Sequence, residues 1–384
     1  MAICLIMTAI ESKGQRRAIN DDLITVDVRK SYSSKKELIL QDFMDVEYIA
    51  LETNNDFLNQ GIVRDIGKEN ILVTNQFQNN DGDIFVYDRT GKAKRKLNRK
   101  GQGPEEYLII YGIVLDEDNG EMFVSDILNR KIFVYDLDGK YKRSFNQKDD
   151  SNAMPYLKIF NYDRDNLICY DDFNKELAFV LISKLDGSIT KEIKIQLKER
   201  RYLRQISRND VNDIAGPPGP TNLLKPYNGN WILSDFSSDT VYTFLPNYNL
   251  SPLFVRTPSI QSMNPEVMLI VRLFSDRYYF METIKNEYNF DTRSGFARTF
   301  FMYDRFEKGF SGYSVYNGDY SSKKEIYMNT LSIVNHEIES CQKLEAFELV
   351  ESYKKGILKG KLKEIASKLD EEDNPVIMLI KHKK

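Results

Sequence analysis

The octapeptide Phe85-Val86-Tyr87-Asp88-Arg89-Thr90-Gly91-Lys92 returns 48 residues later as Phe133-Val134-Tyr135-Asp136-Leu137-Asp138-Gly139-Lys140. A weaker third copy closes on Leu185-Asp186-Gly187, again 48 residues on. A second element, Val124-Ser125-Asp126 with Ile132-Phe133, recurs as Leu233-Ser234-Asp235 with Val241-Tyr242, both parts at one common offset. A fixed period of this size means that the chain repeats one supersecondary unit, and that neighbouring units bury each other's apolar faces.

The unit is made of strands. Met122-Phe123-Val124-Ser125 and Lys131-Ile132-Phe133-Val134-Tyr135 are short, β-branched and aromatic. Asp138-Gly139 supplies a tight turn where a positive φ is required. The following Lys140-Tyr141-Lys142-Arg143-Ser144-Phe145 alternates polar and apolar residues, so only one of its faces is buried. The preceding Gly112-Ile113-Val114-Leu115 is apolar throughout and reads as a fully buried strand. Each repeat is therefore four antiparallel strands, most apolar at one edge and most polar at the other. Radial blades around a channel have this gradient.

Five inner and middle strand pairs fall near 62–74, 113–124, 157–170, 222–234 and 266–281. Val46–Leu51 and Pro375–Ile380 are left over at the two chain ends, and together they complete a sixth blade and remove its exposed edges. The fold class is therefore all-β, a six-bladed β-propeller over residues 35–384. Between the last strands, residues 343–369 have the leucine spacing and Lys/Glu content of a helical insertion with a solvated lysine face. Met1–Ile10 is apolar but too short to span a bilayer. It resembles the hydrophobic part of a secretory signal without a basic residue before it, so residues 1–20 are expected to be a leader remnant or a loose tail.

Composition removes several function classes. The 54 Lys+Arg against 57 Asp+Glu leave a net charge of -3, which offers no basic face for nucleic acid. His336 and His382 are the two histidines, too few for a His-rich zinc site, and no G-x-S-x-G elbow is present to supply a hydrolase serine. Cys4, Cys169 and Cys341 are far apart and form no C-x-x-C pair. The single Trp231 excludes repeats that need one tryptophan per blade, and no P-loop or G-x-G-x-x-G occurs. No cofactor, no metal and no transmembrane segment are expected, and the chain reads as a monomer.

Gly101-Gln102-Gly103-Pro104-Glu105-Glu106-Tyr107, then Ile113-Val114-Leu115-Asp116, then Met122 to Asp126 and Asn129 to Asp136 resemble an NHL-type (TolB-like) repeat. With the terminal Asp373-Asn374-Pro375-Val376 strand, the chain is similar over residues 35 to 384 to the six-bladed propellers common in the Bacteroidetes cell envelope. The resemblance implies export to the periplasm or outer membrane, in some members with a lipid anchor. It transfers no catalytic residue.

Two segments are candidate sites. Lys92 to Lys100 is rich in Lys and Arg and leads into Gly101 and Gly103. Arg99, Lys100, Gly101, Gly103 and Tyr107 would form an anion-binding lip of cations and glycine amides. The structural alternative is an outer edge strand whose lysines block edge pairing, followed by a turn into the next blade. Residues 198–221 exceed ordinary loop length. They would overhang one end of the channel, with Tyr202 and Arg204 beside Arg200 and Arg201 facing a sugar or an acid, or form a surface excursion. Asp126 and Asp235 read as turn-capping residues rather than cation ligands. The run Asn79 to Asp83 lacks the downstream Glu of a calcium loop.

The function expected is a non-enzymatic exported binding or scaffold module, with a carbohydrate, an envelope glycan or another protein at one mouth of the channel. A carbohydrate-active enzyme working through paired channel carboxylates is the alternative. A protein-interaction platform with an exposed apolar patch is the third reading.

Overall fold

The computed structural model describes residues 23–383 apart from 77–80, 149, 151–152, 175, 196, 204–205, 209–212, 217–220 and 222. The apolar leader expected at the N-terminus lies outside the described residues. Six antiparallel sheets form the blades of a propeller. Blade 1 consists of Ile62–Ile66, Asn70–Thr74, Asp83–Asp88 and Ala93–Asn98. Blade 2 consists of Gly112–Asp116, Glu121–Asp126, Lys131–Asp136 and Tyr141–Asn146. Blade 3 runs over Lys158–Asn161, Asn166–Tyr170, Phe179–Ser183 and Ile189–Ile193. Blade 4 takes Leu224–Tyr227, Asn230–Leu233, Thr240–Phe244 and Leu250–Thr257. Blade 5 takes Val267–Phe274, Tyr278–Lys285, Arg298–Asp304 and Gly309–Tyr316. The expected burial gradient is present: Glu121–Asp126 is buried at every residue, whereas the outer strand Ala93–Asn98 alternates half-buried and exposed residues.

Blade 6 is closed from both chain ends. The strand β3 (Met44–Ala50) pairs antiparallel with Val376–His382, placing Val46 opposite Ile380 and Tyr48 opposite Met378. Two further strands, Ser332–Ile333 and Ile338–Leu344, complete the sheet toward the axis. Lys343 and Leu344, expected at the start of the helical insertion, instead extend this strand, because they pair with Ile377 and Val376. Helix begins only at Ala346. Two short helices, Ala346–Lys354 and Gly360–Ala366, bury Leu349, Leu362 and Ala366 beside Tyr320 and Leu358. The side chain of Asn374, 1% exposed, fastens the closing strand at its entry. It accepts from the Asn59 amide at 2.8 Å and donates to the Glu52 carbonyl at 2.9 Å and the Phe57 carbonyl at 2.5 Å.

Sheet pairing starts ahead of residue 35. β1 (Ile24–Asp27) adds parallel to the outer strand of blade 4, and β2 (Lys35–Ile39) adds parallel to that of blade 5. With β3, the N-terminal segment covers the outer edges of three successive blades. Such single edge strands carry none of the turn signals that mark the repeat, so the period does not reveal them. Their edge coverage prevents pairing with another chain.

The core lies between blades. Leu72, Ile84 and Val86 of blade 1 pack on Ile113, Leu115 and Val124 of blade 2. Val114, Phe123 and Val134 pack on Leu167, Val180 and Ile182 in the same way. The repeated Tyr-Asp-x-x-Gly-Lys motif has a matching explanation. Asp88 Oδ1 accepts from the Thr90 and Lys92 amides, and Asp136 Oδ1 from those of Asp138 and Lys140. Gly91 has φ +87°, and a Cβ there would sit 2.0 Å from the Ala50 carbonyl of the neighbouring blade. The equivalent Gly139 and Gly187 meet Leu97 and Phe145 of the blade before each. The glycine is thus required by turn geometry and by blade-to-blade approach together.

Candidate functional site

The inner strands all start at one end of the channel, and a cavity of about 420 Å³ lies there. Its walls come from Ile62–Arg64, Gly112–Val114, Lys158–Phe160, Leu224 and Ser332–Ile333, with Tyr111, Tyr156 and Thr221 from the connections between blades. Blades 1, 2, 3, 4 and 6 therefore contribute. Among the described residues, none from the inner strand of blade 5 lines it.

Gly112 gives the cavity its depth. A Cβ added at Gly112 would meet nothing within 4 Å, so the strand start leaves open space where other inner strands carry side chains. Through that gap the cavity reaches Phe123, Ser125 and Ile132, on the second and third strands of blade 2. The remaining walls are largely apolar or aromatic, with Val63, Ile113, Tyr156, Phe160 and Ile333, and carry the hydroxyls of Thr221 and Ser332.

Two cations stand in this apolar setting. Arg64 donates from Nε to Thr74 Oγ1 at 2.7 Å and from one terminal nitrogen to the Tyr111 carbonyl at 3.3 Å. These contacts fix the guanidinium without neutralising it. Lys158 makes no side-chain hydrogen bond or ion pair among the described residues, and its exposed surface faces the cavity. Enclosure by the channel walls pulls the Lys158 ammonium below its ordinary value although the side chain is exposed to the cavity, and the charge of Arg64 adds to the effect. Burial lowers Arg64 as well. Among the described residues, no carboxylate lines the cavity. Asp65, next in the chain, faces the other way and accepts from the Leu115 and Ile66 amides, both at 2.8 Å. Burial pushes its carboxyl up to about 6.

The carboxylates gather at the opposite mouth. Asp65, Asp116, Glu117, Asp163 and Glu337 line a second cavity there of about 660 Å³, with Trp231 and His336. Several of them already have partners. Glu117 accepts from the Asn70 amide and side chain at 2.9 and 2.6 Å, and Asp116 pairs with Lys184 at 2.5 Å. Among the described residues, no group of three or more His, Cys, Asp or Glu is placed to hold a metal ion, and no helix is long and apolar enough to cross a membrane.

The lip suggested by Arg99, Lys100, Gly101, Gly103 and Tyr107 forms the connection from blade 1 to blade 2. Its glycine nest is filled from within. The Gly103 amide donates to Glu106 Oε2 at 2.9 Å, and the same carboxylate occupies the space where a Cβ of Gly101 would go. Arg99 donates to the Gly139 carbonyl at 2.8 Å, and Tyr107, 1% exposed, donates to the Gly82 carbonyl at 2.7 Å. None of the five lines the channel cavity.

The long connection between blades 3 and 4 runs at the same end as the cavity and delivers Thr221 to its wall. It carries a small hairpin, Ile206–Arg208 with Asp213–Ala215. Arg200 pairs with Asp235 and packs over the Tyr202 ring, while Arg201 donates to Gln261 Oε1 at 3.0 Å. Arg204 lies outside the described residues, as do Asn79 and Asn80. Asp126 accepts from the Leu108, Leu128 and Asn129 amides, and Asp235 from Ser237, so both organise turns.

Sequence reasoning passed over Arg64 and Lys158. The available signal was a lone cation inside an apolar inner strand, in Ile62-Val63-Arg64 and in Leu157-Lys158-Ile159.

Two solved structures from Bacteroides share this architecture. One is a "putative exported protein" of Bacteroides fragilis, 14% identical, with TM-score 0.58, covering 94% of this chain and 100% of that one. The other is a member of the duf4221 family from Bacteroides vulgatus, 11% identical, with TM-score 0.50, covering 89% and 99%. At these identities the likeness concerns the fold alone. No curated protein matches the chain. The model of a domain of unknown function, DUF4934, matches residues 23–381, so the chain belongs to the DUF4934 family.

Proposed function

We propose that this chain is an exported, non-enzymatic binding propeller that holds a small ligand in the channel cavity where its inner strands begin. The observation that carries the reading is the cavity itself: about 420 Å³, built by five blades, opened by Gly112 and, among the described residues, lined by no carboxylate. Its size falls within the range of small-molecule sites. A carbohydrate or an envelope glycan fragment would lay a ring face on Tyr156 or Phe160. Hydrolysis through paired acids would need two carboxylates facing the same ligand, and the described lining residues supply none. Export is supported by the apolar run Met1–Ile10 and by the description of the Bacteroides fragilis relative.

The test is a binding screen of glycan and peptidoglycan fragments on the purified chain, repeated with Gly112→Phe. The substituted ring has open space to enter and would occupy the ligand's volume. Ligands found with the native chain should be lost from the variant while its melting temperature stays within a few degrees. Undiminished binding to Gly112→Phe would move the site elsewhere.

A further inference from the structure

From Arg64 and Lys158 we infer that the cavity selects a small organic anion: one carboxylate, sulfonate or phosphate head held between the two cations, on an apolar or ring-shaped body. The inference rests on the proposed function above and adds the chemical class of the ligand.

Arg64 is half-buried and Lys158 is exposed toward the cavity, yet two like charges this close repel each other where the channel walls restrict their hydration and no carboxylate of the described residues stands between them. Elsewhere this chain pairs its buried cations. Lys184 meets Asp116, Lys225 meets Glu339, and Arg272 and Arg298 meet Glu282. Arg64 and Lys158 are the exception within the cavity wall. Arg64 is fixed by a hydroxyl and a carbonyl, which orient it and leave its charge uncompensated. Lys158 makes no side-chain hydrogen bond or ion pair among the described residues and opens on the cavity. An anion entering here would compensate both charges at once, in surroundings whose low polarity strengthens the attraction.

The rest of the lining sets the body of the ligand. Val63, Ile113, Ile159, Phe160 and Ile333 offer no donors, and Tyr156 presents a buried ring. Ser125, Thr221 and Ser332 can pair a few hydroxyls of a sugar ring, whereas a multiply charged ligand would leave its further charges unpaired against these walls. An inorganic ion alone would leave most of the volume empty.

The experiment compares two fluorescent probes that differ by one sulfonate, 1-anilinonaphthalene-8-sulfonate and its neutral parent N-phenyl-1-naphthylamine. Each is titrated into the full chain and into Lys158→Gln, Arg64→Gln and Gly112→Phe. The sulfonate probe should bind the native chain about tenfold tighter than the neutral one, as a charge-assisted contact requires. Lys158→Gln should weaken the sulfonate probe roughly fivefold or more and leave the neutral probe unchanged. Gly112→Phe should abolish both. Because Lys158 holds no structural contact, its variant carries the test if Arg64→Gln folds poorly. Equal affinity of the two probes, or an unchanged sulfonate affinity in Lys158→Gln, would overturn the anion assignment and leave the cavity as a binding site. Binding of neither probe, or full binding of both to Gly112→Phe, would overturn the site itself.

Discussion

Lys225 and Glu339 form an ion pair whose side chains are both 0% exposed. The pair joins three blades. Lys225 comes from the inner strand of blade 4 and also donates to the Arg272 carbonyl of blade 5 at 2.9 Å, over the Phe274 ring at 4.6 Å. Glu339, from blade 6, also accepts from the Phe274 amide at 2.9 Å. Removing one partner leaves the other charge buried, which costs about 3–5 kcal/mol. Lys225→Met and Glu339→Gln should each lose that much. Glutamine keeps an acceptor for the Phe274 amide, so the double variant gives up chiefly the lysine's bond to the Arg272 carbonyl, about 1 kcal/mol, plus imperfect packing. Its total loss should be about 2–4 kcal/mol, far less than the sum of the two single losses. The coupling energy is then about 4 kcal/mol, the size of a contact between unit charges at an effective dielectric near 20. Urea unfolding reports it conveniently through Trp231, the only tryptophan, buried on the strand beside Lys225. Burial works against the Glu339 charge, but the Lys225 ammonium overrides it and holds the carboxyl below its usual range. That stability is present above the carboxyl's unfolded value and is lost as pH falls through the lower folded one. Lys225→Met should therefore shift acid unfolding to higher pH. A cycle with coupling below about 0.5 kcal/mol would refute the argument, since the charges would then not depend on each other.

Other outcomes follow from the same structure. Ending the chain after Asn374 removes Val376, Ile377, Met378, Leu379 and Ile380, each 0% exposed. At about 1.5–3 kcal/mol per buried side chain the loss matches the whole stability of a typical domain, so calorimetry should show no cooperative transition, and an unchanged one would contradict ring closure. Gly91→Ala forces a Cβ against the Ala50 carbonyl at positive φ and should cost at least about 1–3 kcal/mol; a loss under about 0.5 kcal/mol would mean that the blades separate freely there. Lys158→Met removes an ammonium that enclosure by the channel walls and Arg64 have pulled down, so it should raise the melting temperature at neutral pH. The gain should fade above the unfolded lysine value, where both states are neutral, and a lower melting temperature at pH 7 would sink the claim of an uncompensated charge. Asp65 should titrate near 6 by carboxyl NMR. Its folded value lies above its unfolded one, so its contribution, about 2–3 kcal/mol, is present below pH 4 and lost as pH rises through 6. A titration below about 4.5 would show that the carboxyl is better hydrated than its burial implies.

The blades were readable in the chain because what makes them is local. Alternation in Lys140 to Phe145, the apolar run Ile113–Leu115 and the Asp-Gly turn at 138–139 each act within a few residues, and repetition then builds the ring. The meeting of the segments 46–51 and 375–380 in one blade was equally legible, since an unpaired apolar strand at each end of a closed ring leaves one solution, while the register that sets Val46 opposite Ile380 was not. β1 and β2 were not. Ile24–Asp27 and Lys35–Ile39 are edge additions whose partners, Phe254 and Gly312 among them, lie far along the chain.

The candidate site divides in the same way. Arg99, Lys100, Gly101 and Gly103 stood out because cations and glycines are conspicuous in a sequence, yet the Glu106 carboxylate fills the nest they make. Arg64 and Lys158 looked like incidental charges in apolar strands. Local pattern sets which residues form strands and turns, because hydrogen bonding and side-chain alternation are short-ranged. Whether a charge meets water, a partner or an empty cavity depends on residues that folding brings from five blades. Only their arrangement in space makes the surroundings of Arg64 and Lys158 largely apolar, leaves Gly112 facing open volume, and turns Asp65 toward the opposite mouth.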